Sequence, residues 1–320
     1  KNLIILKNFF ILLNKRLKNC NKPTIILYTT YNINNLLKAT KKISENYEIE
    51  RFFFEELYKL NQRFNNFYTI NLDNEFFHEG ANKFFDKRNF YLANCQFSNQ
   101  GIKKISECIQ RIINRIMKPS AKLLILDCDN TIWGGVAAED GIKNLLLGQD
   151  GEGKIFLDFQ KAINKINNDG IIISLCSKNN EKDVWEIFNN HSSMILQKKD
   201  IINPKINWNK KSQNIFEISQ ELDLSLDSIV FWDDNPFERE EVKKNLKEVN
   251  VVDVPNETYL WPEMLLNLDL LSKINITKED LTKNNQYKVR SKFIEDKKKI
   301  NDDKDYLKQI SLKPRNIKIN

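Results

Sequence analysis

Two aspartates one residue apart, Asp127 and Asp129, with Thr131 behind them, end the aliphatic run in "LLILDCDNTIWGGVAAEDG", residues 123–141. Like charges that close repel and titrate as a coupled pair, so their position asks for a chemical reason. A carboxylate at a strand end can attack phosphorus and carry it as an aspartyl-phosphate, which gives Asp127 a role as nucleophile. Asp129, two residues on, points to the same side of an extended chain and can serve as general acid and then base. A second acidic pair, Asp233 and Asp234, follows a later apolar run. Together with Asp127 and Asp129, the latter through its backbone carbonyl, it offers enough oxygen for an octahedral Mg²⁺ site. The cation would remove the repulsion and keep Asp127 ionised. The cluster Ser177-Lys178-Asn179 supplies a hydroxyl and strand-end donors for phosphate oxygens, and Lys211 can neutralise a transferring phosphoryl group. A lone D-x-D is usually a cap or a turn. Followed in order by a serine, a lysine before a helix and a paired aspartate, it reads as one site.

The elements that must position these residues are legible from periodicity. A strand at 122–127 leads through a Gly-rich loop to a helix at 153–168. "GIIISLCS" is a strand before a helix at 181–190, and "MILQ" (194–197) a short strand before a helix at 211–222. "DSIVFWDD" is a strand, a helix starts at Pro236, and "VNVVDV" is a last strand. Apolar strands alternating with amphipathic helices predict a Rossmann-like α/β domain with a parallel sheet and helices on both faces. Ligands gather at the carboxyl ends of such strands, and there the three polar clusters should converge.

Ahead of this domain, residues 1–118 read as a smaller α/β domain. It has strands at 24–32 and 67–73, a helix at 35–47, and an apolar helical face of Ile102, Ile105, Cys108, Ile109, Ile112, Ile113 and Ile116 ended by Pro119. "LIILKNFFILL" near the start is too short to span a bilayer and reads as a core element. Residues 256–320 read as a charged, helical extension without a core of its own, a linker to something further.

At 320 residues, two domains are expected, and 41% hydrophobic content suffices for both cores. The net charge is +7, with the positive excess concentrated before residue 120. No nucleic-acid motif accompanies it, so a solvated basic face is the simpler reading, with a dock for an acidic protein as the intermediate one. Five cysteines without a C-x-x-C pair argue against a disulfide framework and for the cytoplasm. His78 and His191 are too few and too distant for a zinc site. "GQDGEGK" imitates a P-loop, but Ile155 replaces the required Ser/Thr and no strand precedes it. Asn275-Ile276-Thr277 fits a glycosylation sequon without meaning in a cytoplasmic chain.

The four clusters, Asp127/Asp129/Thr131, Ser177, Lys211 and Asp233/Asp234, resemble the motifs of the haloacid dehalogenase superfamily. "LDCDNTIWGGVAAEDG", "LCSKNNEKDVWEIF", "INWNKKSQNI" and "VFWDDNPFEREEV" are similar, more closely, to the FkbH-like family, a subfamily IIIC phosphatase group. "NFYLANCQFSNQGIKKIS" resembles the end of that family's degenerate, non-catalytic SGNH-hydrolase-like domain, so the likeness covers at least residues 90–255. Lys210, where an acidic residue is expected, and Cys128, where the family favours Leu, depart from the pattern.

The resemblance implies a Mg²⁺ enzyme that takes a glyceryl unit from 1,3-bisphosphoglycerate, removes its phosphate and loads it as a thioester onto the phosphopantetheine arm of an acyl carrier protein. It implies a GNAT-like domain further on. Acyl transfer needs a thiol, for which Cys176 is the first candidate and Cys95 a weaker one. Superfamily members carry a flap after the first strand, here Trp133-Gly134-Gly135, where two glycines permit the turn and Trp133 walls the pocket from water. Two other readings stay open: a plain phosphatase for a small phosphorylated metabolite or sugar in a surface-polysaccharide pathway, and a non-catalytic carrier-protein docking module.

Overall fold

The computed structural model describes residues 2–30, 45–77, 79–117, 120–273, 287 and 289–290. His78, most of the 35–47 helix, the 275–277 sequon and nearly all of the extension beyond residue 273 lie outside them. The chain divides into two compact units, Lys1–Asn114 and Arg115–Asn320.

The first unit is built on two parallel strands, β1 (Thr24–Tyr28) and β2 (Phe67–Asn71), preceded by α1 (Asn2–Asn19) and joined through α2 (Glu45–Arg63). Side chains alternate across a strand, and the two faces differ accordingly. Ile26 and Tyr28 pack with Phe10, Leu13 and Leu17 of α1 and Leu57 and Leu60 of α2. Ile25 and Leu27 pack with Phe76, Phe84 and Cys108 from α3 (Leu72–Phe77), α4 (Ala81–Phe84) and α6 (Asn99–Met117), and with Phe85 just after α4; α5 (Lys87–Ala93) lies between α4 and α6 in sequence. The apolar face expected on 102–116 thus serves this core, although Ile102 and Ile113 are exposed.

The second unit holds the expected parallel sheet. Its strands are β3 (Leu123–Leu126), β4 (Ile172–Ser177), β5 (Lys205–Ile206), β6 (Ile229–Trp232) and β7 (Asn250–Val251), in the order β5-β4-β3-β6-β7. β3 is central, with Leu126 level with Leu175 on one side and Trp232 on the other. Between strands run α7 (Ala137–Asp140), α8 (Gly153–Asn168), α9 (Glu181–Asn190), α10 (Lys211–Leu222) and α11 (Pro236–Asn245), and α12 (Trp261–Leu266) follows β7. Period-two alternation splits the core. Leu124, Leu126, Val230 and Trp232 meet Phe159 and Ile163 of α8, Val184 of α9 and Trp261 of α12. Leu123, Ile125, Cys176 and Phe231 meet Ile215 and Ile218 of α10 and Val242 of α11. Each face fully buries apolar strand residues, as a parallel sheet covered on both sides requires.

Two expectations need correction. Residues 194–197 form no strand. The buried Gln160 side chain accepts the backbone N–H groups of Ile195 (2.9 Å) and Leu196 (3.3 Å), so a side chain rather than a ladder satisfies that backbone. β4 pairs with Lys205–Ile206 instead. The domain also does not stop at 255. Trp261, Leu265 and Leu271 are buried in the first core, with Trp261 ring to ring against Phe159 (5.7 Å) and Trp232 (6.0 Å). Their spacing is too short for an amphipathic pattern to show, yet they close one face of the sheet.

Candidate active site

The three polar clusters sit where the strands end. Asp127 follows β3, and its backbone N–H donates to Trp232 O (3.0 Å), extending the ladder one residue into the site. Ser177 ends β4, and Asp233 follows β6. Lys211 opens α10, just beyond β5. Its side chain is 3% exposed, and its ammonium lies 2.9 Å from Asp127 Oδ1 and 2.6 Å from Asp233 Oδ2. Burial alone would lower its pKa, but the charges of Asp127 and Asp233 outweigh that and raise it, so the cation is locked on. Asp233 is pushed up to about 7, first by burial and then by the charge of Asp127, against the pull of Lys211. Asp234 is raised for the same first two reasons.

The carboxylates of Asp127, Asp233 and Asp234 each bring one oxygen within 4.8 Å of the others. Three acidic groups with one ammonium leave an uncompensated negative charge in a buried place. Asp127 Oδ1 is moreover enclosed, with the Lys211 ammonium 2.9 Å away as its one neighbour of opposite charge. An all-oxygen, anionic and under-satisfied cluster of this kind fits a hard divalent cation such as Mg²⁺. In the metal-free protein the raised pKa of Asp233 has a stability consequence. Between its unfolded value of 3.8 and about 7 the folded state binds the extra proton, so stability must fall as pH rises through that window. Thermal melts without divalent ions should show Tm dropping from about pH 4 to about pH 7, and Mg²⁺ should flatten that slope; a flat metal-free profile would contradict the assigned burial.

Asp129 is not among the three metal-facing carboxylates. Its Oδ1 accepts from Trp133 Nε1 (2.9 Å) and Ala137 N (3.0 Å), and its Oδ2 from Asn179 Nδ2 (2.8 Å). Held by three donors from three segments, the side chain is fixed in direction. Trp133 is fully buried, edge-on to Phe188, and serves the site by holding Asp129. The two glycines have separate reasons. A Cβ on Gly134 would stand 2.6 Å from the Phe156 ring, and Gly135 has φ +99, which L side chains rarely adopt. Asn130, at φ 51, closes the turn by accepting Gly135 N at 2.8 Å.

The remaining expected residues fall as follows. Thr131 is buried, its hydroxyl 3.3 Å from Asp234 Oδ1. Ser177 and Asn179 are buried and 3.4 Å apart. Lys178 reaches the other way, pairing with Glu238 at 2.6 Å, so its ammonium is engaged outside the carboxylate cluster. Cys176 is a correction. On β4 it alternates with Ser177 and faces the α10 core, fully buried, and burial pushes its thiol up to about 12. A thiol that stays protonated and enclosed is no acyl carrier. Cys128 is likewise fully buried with its pKa raised by burial, a packing residue. Lys210 is exposed and caps α10 with its backbone alone. The sequence reading missed Arg239, whose Nη1 donates to the carbonyls of Asp233 (2.8 Å) and Asp234 (2.7 Å). Its one signal was its place, a turn beyond the acidic pair.

A parallel sheet with a carboxylate at the end of its central strand, an acid two residues on, a buried lysine and a further acidic pair defines a haloacid-dehalogenase-like phosphatase domain. The chain is similar to the crystal structure of the N-terminal part of the protein BF1531 from Bacteroides fragilis, described as containing a phosphatase domain complexed with Mg. The two share 31% sequence identity over 83% of this chain and 72% of that one, with a TM-score of 0.69. The chain therefore belongs to this family of haloacid-dehalogenase-like phosphatase domains. No protein-family model and no curated protein matches it. No helix among the described residues is long and apolar enough to cross a membrane.

Proposed function

We propose that the protein is a Mg²⁺-dependent phosphohydrolase working through a phosphoaspartate on Asp127. The observation that carries this reading is the cluster at the end of β3, where the buried Asp127 and Asp233 share one buried ammonium and the half-buried Asp234 joins them within 4.8 Å. A carboxylate oxygen of Asp127 attacks phosphorus, and the bond from phosphorus to the leaving oxygen breaks as Asp129 gives that oxygen a proton. Water then attacks the same phosphorus, Asp129 takes its proton, and inorganic phosphate leaves with the Asp127 carboxylate restored. Lys211 balances the charge of the transferring group, and Ser177 and Asn179 line the strand end beside it. Asp127, Asp233 and Asp234, with the Asp129 carbonyl, would hold Mg²⁺, which when bound supplies positive charge to the phosphoryl oxygens.

For the substrate we propose the one implied by the FkbH-like resemblance, 1,3-bisphosphoglycerate, with an acyl carrier protein as acceptor. The chemistry then divides. The carrier thiol attacks the acyl carbon and displaces phosphate there, while Asp127 removes the phosphomonoester at the other end. With Cys176 protonated and enclosed, the acyl group passes to the carrier without resting on that residue. The test is to incubate the protein with Mg²⁺, 1,3-bisphosphoglycerate generated in situ and a pantetheinylated carrier, reading phosphate release and the carrier's intact mass. A carrier heavier by one glyceryl unit supports the full reading. Phosphate without a carrier adduct reduces it to a plain phosphatase. Absence of phosphate release from this substrate and from p-nitrophenyl phosphate alike would overturn both.

A further inference from the structure

α11 reaches three of the strand-end segments that build the site, using three residues of its first two turns. Glu238 Oε1 lies 2.6 Å from the ammonium of Lys178, the residue after Ser177. Arg239 Nη1 spans the carbonyls of Asp233 and Asp234 at 2.8 and 2.7 Å. Glu241 accepts Ser212 N on Oε2 (3.1 Å) and the Ser212 hydroxyl on Oε1 (2.5 Å), and Ser212 directly follows Lys211. The helix is itself fixed at both ends of this span. Asn235 accepts Phe237 N at 2.9 Å and donates its own N–H to Asp233 Oδ1 at 2.9 Å, Pro236 stands in the first turn, and Val242 is fully buried beneath the sheet.

We infer that α11 is the bracket that sets the active site, with Arg239, Glu241 and Glu238 as positioning residues for the acidic pair, the lysine and the serine loop. This rests on the metal reading of the carboxylate cluster. The physical ground is specific. Two adjacent carbonyls held by one guanidinium nitrogen fix the backbone from which both Asp233 and Asp234 project, and a planar, always-charged donor does this with little freedom. Groups one bond removed from metal ligands commonly alter affinity by about 10–100-fold when lost, because the ligands they orient then have to be ordered by the ion itself. Glu241 acts the same way on Lys211, by pinning the first turn of the helix that carries it.

Mn²⁺ binding to the full chain, followed by electron paramagnetic resonance without substrate, tests this together with thermal melts. Arg239→Met should weaken Mn²⁺ binding by roughly tenfold or more, with Tm close to the parent's, and Arg239→Lys should recover part of the loss. If Arg239→Met folds poorly, Arg239→Lys alone decides: weaker Mn²⁺ binding at parental Tm supports the bracket. Parental Mn²⁺ affinity in folded Arg239→Met, or in Arg239→Lys where Arg239→Met does not fold, would overturn it. A parent chain that binds no Mn²⁺ would instead overturn the metal reading beneath it.

Discussion

Asp127→Asn is expected to lower phosphate release by roughly a thousandfold or more, as removal of a covalent nucleophile does. The amide has the shape of the carboxylate but no charge, so it neither attacks phosphorus nor forms an acyl-phosphate. Folding should survive. Lys211 keeps Asp233 at 2.6 Å, and the cluster loses one of three mutually repelling charges. Steady-state phosphate release, Tm and the intact mass of acid-quenched protein separate the possibilities. The parent should carry a fraction heavier by one phosphoryl group under substrate, and the variant none. A folded Asp127→Asn that turns over at the parental rate would remove Asp127 from the mechanism and leave the metal cluster standing.

Lys211→Met should cost both stability and chemistry. Methionine fills much of the space, but the single ammonium among Asp127, Asp233 and Asp234 is gone, and two buried carboxylates lose their counter-charge. Breaking a buried pair from one side typically costs about 3–5 kcal/mol, which for a unit of this size is a Tm loss on the order of 10 °C. Mg²⁺ should restore more Tm to Lys211→Met than it adds to the parent, because the cation then supplies the only positive charge in the cluster. Turnover should stay depressed even at saturating Mg²⁺, since the phosphoryl group still lacks the lysine. A variant as stable as the parent without metal would mean that water reaches the cluster freely.

Much of this was legible from residue types and spacing. The strands that carry Asp127, Ser177 and Asp233 are short apolar runs whose polar ends name their own positions, and the order β5-β4-β3-β6-β7 brings those ends together. What was hidden depends on side chains acting across the fold. Nothing in "MILQ" announces that Gln160 will satisfy its backbone. Trp133 looks like a pocket wall until its indole N–H is seen on Asp129. Cys176 and Ser177 are neighbours in sequence, but alternation sends one into the core and the other to the site. The charges of α11 resemble an ordinary solvated face, because a helix's outward partners are not written in its own periodicity.

The two-residue length of β5 and β7 has a consequence for how the protein behaves at high concentration. They are the rims of the five-stranded sheet, and a rim that short offers almost no backbone for a neighbouring molecule to pair with. On one rim, Lys205 pairs with Glu217 and Glu221 of α10 at 3.1 and 3.0 Å, tying the short strand to the helix that covers its face. Within this sheet the longer apolar strands, β3, β4 and β6, are all interior. The sheet that assembles the site is thus also finished at its borders, and it resists growing from one molecule into the next.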